Sequence, residues 1–420
     1  MRSAAPAPSH KHDEHRGANV SVREIQGEIT MVKLFESIAF RGVELSNRIV
    51  VSPMGMYSAV NGYVTPFHLV HYGKFAQGGA GLVFVEQTSV TRKGRITNGD
   101  PGLWEDGQID GMRQIVHVIK SGGSKAAIQI NHGGRKSSQQ RAFRGNSHLT
   151  DRDIEMGEET WVPTGPSDVA FSDGFQTPIP LSKQGLEGVR DAFVATARRA
   201  VLAGFDVIEL HMAHGYLLQS FLSPLANFRN DEYGGKLENR MRFPLEVTRA
   251  VRAALPSSTP LFVRISATDW IDGGWEIEDS VVFSRELKKL GVDLVDCSTG
   301  GNLRAGSTNA NLGRGPGYQV PFAERIRCDA DIATGAVGMI RTPDFAEKVL
   351  QDGRADLIFL ARQMLYDPFW ALHAAEHFGL TGNFEKWPEQ YGWWLAKWGG
   401  ALRANGESLD GVERYREAAE

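Results

Sequence analysis

The chain has 420 residues, 41% of them hydrophobic and 23% charged, and its 46 Lys and Arg against 50 Asp and Glu leave a formal charge of −4. That is enough for one large α/β barrel with additions or for two or three small domains, and its scattered, nearly balanced charge makes no basic stripe of the kind that binds nucleic acid. The only cysteines are Cys297 and Cys328, which excludes a disulfide scaffold, a CxxC pair and a four-thiolate iron–sulfur cluster and fits a reducing, cytoplasmic compartment.

Residues 1–30 read as a flexible tail rich in Ala, Pro, Ser and charge. Its His10, His12 and His15 have no neighbours that complete a rigid ligand set. The tail lacks the apolar segment of a secretory signal, and no later stretch has the length of a membrane span. From Lys33 one unit repeats: a short apolar run, a helical pattern, then a Gly or Pro break. The runs are Ile49–Ser52, Leu82–Val85, Ala126–Ile130, Val207–Leu210, Leu261–Ile265, Leu294–Val295, Ile332–Thr334 and Leu357–Leu360. Nearly continuous apolar runs suit strands covered on both faces, as in parallel sheets.

The segments between them have helix ends. One helix begins near Lys183, puts Leu186, Val189, Phe193, Ala197, Ala200 and Val201 on one face, and closes at Gly204. Another opens at Thr342-Pro343, buries Phe345, Ala346, Val349 and Leu350, and stops at Gly353. Strands alternating with helices predict a single-domain (β/α)8 TIM barrel over 31–380, followed by a C-terminal arm over 381–420. A doubly wound open sheet is the alternative fold. Against it, the first run leads into Ser52-Pro53-Met54-Gly55-Met56 and not a G-x-G-x-x-G loop. Two connections, 133–180 and the glycine-rich 299–322, are long and follow strands. They are expected to cover the C-terminal face.

Catalytic groups of a barrel sit where its strands end. Here the ends carry Ser52 to Tyr57, Glu86-Gln87, Gln129 with His132, His211 with His214 and Tyr216, Arg264, and Ala361-Arg362. The His211, His214 and Tyr216 group fits three readings: a metal site, histidines that merely satisfy backbone groups, or a hydrogen-bonding pair that polarises a substrate oxygen beside a proton-donating tyrosine. A second His-x-x-His, His68 and His71, lies in a helical stretch and reads as packing. Gly335-Ala336-Val337-Gly338 and Ala361-Arg362 follow the last two strands, where small residues and an arginine suit a phosphate.

The stretch from His211-Met212-Ala213-His214-Gly215-Tyr216 through Ser223-Pro224-Leu225-Ala226-Asn227 to Asp231-Glu232-Tyr233-Gly234-Gly235 resembles the signature of the old yellow enzyme family, FMN-dependent ene-reductases. Ser52-Pro53-Met54-x-Met56-Tyr57, Gln129-x-x-His132-x-Gly134-Arg135-Lys136 and Gly335-Ala336-Val337-Gly338-Met339-Ile340 resemble its thermophilic-like (class III) branch. The resemblance runs from about Lys33 to about Pro368. It implies one non-covalent FMN at the barrel mouth, reduced by NADPH or NADH. It assigns Ser52, Pro53, Met54 and Gly55 to the flavin, Gln87 to its pyrimidine edge, Gln129 to a hydrogen bond with the ring and Arg264 to N1. The phosphate falls to Gly335, Ala336, Ala361 and Arg362. His211 and His214 would bind the carbonyl or nitro oxygen of an activated alkene (an enone, maleimide or nitroalkene), Tyr57 would flank it and Tyr216 would protonate it.

Three positions depart from the pattern. Gly55 stands where that branch commonly has Cys. The arm reads Gln390-Tyr391-Gly392-Trp393-Trp394 without the arginine some members extend to a partner subunit, and Ala361 replaces the usual glycine. The expectation is a homodimeric or higher-order FMN oxidoreductase with no metal, no nucleic-acid partner and no membrane partner. The competing expectations are a metal-dependent TIM-barrel hydrolase and a non-catalytic flavin-binding scaffold.

Overall fold

A computed structural model describes residues 32–304 and 314–405. The expected 1–30 tail lies outside the described residues, as do 305–313 of the second long connection and 406–420 of the arm. In chain order the strands are β1 (Ile38–Phe40), β2 (Val43–Leu45), β3 (Ile49–Val51), β4 (Leu82–Ser89), β5 (Lys125–Asn131), β6 (Thr164–Gly165), β7 (Ile179–Pro180), β8 (Val207–Met212), β9 (Leu261–Ser266), β10 (Leu294–Ser298), β11 (Ala333–Ala336) and β12 (Leu357–Leu360). Strands β3, β4, β5, β8, β9, β10, β11 and β12 close in that order into a parallel barrel, β12 pairing back to β3. These are the eight apolar runs of the sequence, so the barrel and not the open sheet is the fold.

The side-chain period of two divides each strand between two environments. Val50, Leu82, Phe84, Ala127, Val207, Phe262, Leu294, Leu357 and Phe359 fill the barrel, while Ile49, Val83, Ile128, Ile208, Val263, Val295 and Ile358 join the larger core beneath the helices. The antiparallel β1–β2 hairpin, unforeseen in the sequence, sends Phe40 and Leu45 into the inner cluster, with Phe40 edge-on to Phe262 at 5.1 Å. It adds its residues where the strands begin and leaves their other ends free.

The expected helices form, with ends the structure explains. Ser182 Oγ caps Lys183–Ala203 by accepting from the Gly185 amide, and Gly204 ends it at φ +96°, a left-handed conformation that only glycine adopts readily. Thr342 caps Pro343–Gln351 in the same way, although Phe345 is half-buried where full burial was expected. The 133–180 connection is built structure: it holds the helix Asp151–Glu155 and the short β6–β7 pair. The arm contributes a helix, Glu389–Ala404, whose Tyr391 hydroxyl donates to Gln77 Oε1 at 2.8 Å.

Candidate active site

Strand β8 alternates Val207, Glu209 and His211 into the barrel, so His211 arrives at its mouth, in register with Arg264 of β9. Its imidazole protonation follows from its neighbours. The Ala213 amide donates to His211 Nδ1 at 3.2 Å, so the neutral ring carries its proton on Nε2. That nitrogen lies 3.3 Å from His214 Nδ1, which accepts, leaving the His214 proton on Nε2, 2.7 Å from Ser298 Oγ. Burial and the positive charges of Arg264 and Lys136 hold both histidines well below their ordinary pKa, with His214 adding to the effect at His211. Both are therefore neutral N–H donors at neutral pH. The backbone turns sharply here, with His214 at φ +60° and Gly215 at φ +76°. A Cβ on Gly215 would lie 2.3 Å from the Gly301 carbonyl oxygen, which explains the glycine.

Tyr216 follows at once, its ring centroid 4.9 Å from that of His211. Burial, then Tyr57 and Asp100, raise its phenol pKa well above the ordinary value, so the proton stays on. Lys136 closes the far side. Its ammonium donates to the carbonyls of His214 (2.8 Å) and Gly301 (3.1 Å) and lies over the rings of Phe171 (4.4 Å) and Tyr216 (5.1 Å). Burial and the neighbouring Arg135 lower its pKa to about 7. On the opposite wall Tyr57 sits over Gly55: a Cβ there would meet Tyr57 Cζ at 3.1 Å and its hydroxyl at 3.2 Å.

Below the histidines the barrel interior turns polar. Gln129 Nε2 donates to Glu209 Oε1 at 2.9 Å, and Arg264 Nη1 lies 3.1 Å from Asp296 Oδ2. Two buried carboxylates share one guanidinium. Glu209 is pushed well above its ordinary pKa by burial and Asp296, and Asp296 to about 6 by burial against the pull of Arg264. Arg264 reaches a cavity of about 430 Å³ that His214, Ser298, Gln319, Val337–Arg341 and Phe359–Gln363 also line. Ala361 and the exposed Arg362 thus stand at this cavity with Gly338. Gly335 and Ala336 lie below it in β11, where a Cβ on Gly335 would strike Phe359 at 2.3 Å.

The donor set fits the expected FMN. Ser52 Oγ, Gln87 Nε2, Arg264 Nε and Glu209 Oε2 are buried without a hydrogen-bond partner, which a native interior avoids unless a bound group completes them. Arg264 supplies a cation, and the cavity volume is in the range of about 300–1,000 Å³ usual for small-molecule sites. Gln87 Oε1 meanwhile accepts from Asn131 at 3.1 Å. Among the described residues no three His, Cys, Asp or Glu side chains form a metal-holding group. His68 and His71 are buried in the helix Pro66–Ala76, as packing required. Sequence reasoning gave no role to Glu86, Lys136, Glu209, Asp296, Ser298 or Gln319. The charged residues among them could have been noticed as charges inside or beside apolar runs.

Comparison with known proteins agrees. The model of the NADH:flavin oxidoreductase / NADH oxidase family matches residues 33–380. An NADPH dehydrogenase of Bacillus subtilis (strain 168) is 45% identical over 346 residues, 82% of this chain and 94% of the relative. One from Geobacillus sp. (strain WCH70) is 45% identical over 350 residues, 83% and 95% of the two chains. Among solved structures, morphinone reductase superposes with a TM-score of 0.66 at 25% identity, covering 82% of this chain and 89% of that one. The old yellow enzyme homologue of Zymomonas mobilis gives 0.67 at 24%, covering 84% and 96%, a likeness of fold.

Proposed function

Because the chain belongs to the NADH:flavin oxidoreductase / NADH oxidase family, the old yellow enzyme group of FMN-dependent oxidoreductases, we propose that it is an ene-reductase that reduces alkenes conjugated to a carbonyl or nitro group. The hydrolase alternative falls with that membership. FMN, when bound, supplies reversible hydride chemistry, fed by NADPH or NADH. Ser52, Pro53, Met54, Gly55, Gln87, Gln129 and Arg264 would hold its ring, and Gly335, Ala336, Ala361 and Arg362 its phosphate.

The chain's own residues then do two things. On binding, the Nε2–H groups of His211 and His214, which here meet His214 Nδ1 and Ser298 Oγ, would turn to the substrate oxygen, where negative charge grows as the β-carbon is reduced. Donors in a water-poor site stabilise charge that grows in the transition state. Tyr216, held protonated by burial, gives its proton to the α-carbon. Tyr57 flanks the substrate from the opposite wall. The reading is carried by one observation: two neutral imidazoles and a protonated phenol converge beside the buried Arg264. A homodimer in the cytoplasm completes the proposal, supported by exposed Trp393, Trp394 and Trp398 on the arm and by two free cysteines. No helix among the described residues is long and apolar enough to cross a membrane.

The test is anaerobic rapid mixing. NADPH should bleach the flavin absorbance, and 2-cyclohexen-1-one should restore it within the turnover time. A flavin bleached by NADPH but left unoxidised by enones and nitroalkenes alike would refute ene-reduction.

A further inference from the structure

A buried carboxylate outside the site has no part in the chemistry described so far. Glu86 lies on β4, fully buried. Its strand neighbours Leu82 and Phe84 face the barrel interior, but the register slips between Val85 and Thr88, and this bulge turns Glu86 toward the helix Pro66–Ala76. There Oε1 accepts from the Tyr72 hydroxyl at 3.3 Å, and that hydroxyl accepts from the Glu86 amide at 2.8 Å. His68 Nε2 stands 3.5 Å from Oε1. The Thr65 amide donates to His68 Nδ1 at 3.0 Å, so the neutral imidazole presents N–H, not a lone pair, to the carboxylate. The other oxygen, Oε2, accepts from the Met56 amide at 2.6 Å. Glu86 is therefore ringed by donors.

The Met56 amide belongs to the turn that carries Gly55 and Tyr57. Tyr57 holds φ +53°, a left-handed conformation that costs a tyrosine energy and persists only where neighbours impose it. Its carbonyl is held from one side, accepting from Arg141 Nη1 at 2.8 Å, and Gly99 packs so closely that a Cβ would lie 2.2 Å from that oxygen. The Glu86 carboxylate is the clamp on the other side.

We infer that Glu86 is a positioning residue: through the Met56 amide its carboxylate sets the strained backbone that places Tyr57 over Gly55, and so tunes how tightly the mouth grips its substrate. This rests on the proposed placement of Tyr57 against the alkene. The titratable groups facing Glu86 are His68 and Tyr72 from the helix, Tyr57 from the turn and Asp100 from the loop after β4. Burial raises the Glu86 pKa to about 8, opposed by the Met56 and Tyr57 amides and reinforced by Asp100. Protonation removes the negative charge that strengthens the Met56 amide bond, so the clamp loosens as pH falls through that value.

The test uses the FMN-loaded full chain. Reduced enzyme is mixed anaerobically with 2-cyclohexen-1-one, and the half-saturation concentration is read across the pH range about the Glu86 value. In the wild type it should fall severalfold as pH rises through that value. In Glu86→Gln it should lie about tenfold above the high-pH wild-type level, the size of one lost charge-assisted hydrogen bond, and stay flat with pH. Glu86→Asp should restore the pH step. A wild-type profile without the step, or a Glu86→Gln profile that keeps it, overturns the inference, and a flat wild-type curve overturns it even if the glutamine variant fails to fold. An enzyme that never reoxidises with the enone fails the ene-reductase reading instead, so the two failures are distinct.

Discussion

Arg264 is the cation that pairs with Asp296 in the polar layer under the histidines, and replacing it with methionine isolates its contribution. Methionine keeps much of the volume but leaves Asp296 and Glu209 without their guanidinium. Losing one partner of a buried ion pair costs about 3–5 kcal/mol. The structure adds a sign. Asp296, ordinarily near 3.8, stands at about 6 only because Arg264 pulls against burial. Without Arg264 the folded state must keep that carboxyl protonated at higher pH. Each pH unit so held costs about 1.4 kcal/mol. A group whose folded pKa is raised favours folding below its unfolded value and loses that stability as pH rises toward the folded value. Wild-type Asp296 finishes that loss near pH 6, whereas the variant goes on losing stability above it, so the gap between them widens by about 1.4 kcal/mol for each pH unit over which the variant's carboxyl stays protonated. Thermal and urea unfolding of both proteins, followed by tryptophan fluorescence at about pH 5.5 and about pH 8, measures it. An equal gap at the two pH values would refute the shared-guanidinium argument.

Tyr216→Phe keeps the ring that packs against His211 and removes the proton. Reoxidation by enones should slow by about 10²–10⁴-fold while flavin bleaching by NADPH changes little, and equal slowing of both steps would take Tyr216 out of the donor role. His211→Ala should weaken binding of phenolic ligands by losing a buried N–H donor, which a flavin-absorbance titration reads, and unchanged binding would contradict its assignment. Gly55→Cys places a Cβ within 3.1 Å of the Tyr57 ring, so Tyr57 must give way. The variant's flavin midpoint potential should differ from wild type in a redox titration, and equal midpoints would remove position 55 from potential tuning.

The barrel was legible because burial on both faces leaves strands almost continuously apolar, and Ser182, Gly204, Thr342 and Pro343 mark helix ends chemically. The β1–β2 hairpin was not, since Ile38–Phe40 and Val43–Leu45 are too short for a period to emerge. Site residues on one strand end, such as His211, His214 and Tyr216, were visible as a cluster. Those whose meaning depends on tertiary approach were not: Ser298 reaches His214 and Gln319 reaches Ser298 from other segments, and Glu86 is turned by a bulge that spacing does not encode. Gly335 and Ala336 end β11, and Val337, the next residue, lines the cavity.

The division of labour between cofactor and Tyr216 is tested most directly by isotope placement in a single enone turnover. Reduction of 2-cyclohexen-1-one with NADPH carrying deuterium at the transferable position should label the β-carbon alone. The same reaction with unlabelled NADPH in deuterated water should label the α-carbon, and Tyr216→Phe should slow that solvent-derived step. Solvent deuterium at the β-carbon, or nicotinamide-derived deuterium at the α-carbon, would contradict hydride delivery at one face and phenol protonation at the other.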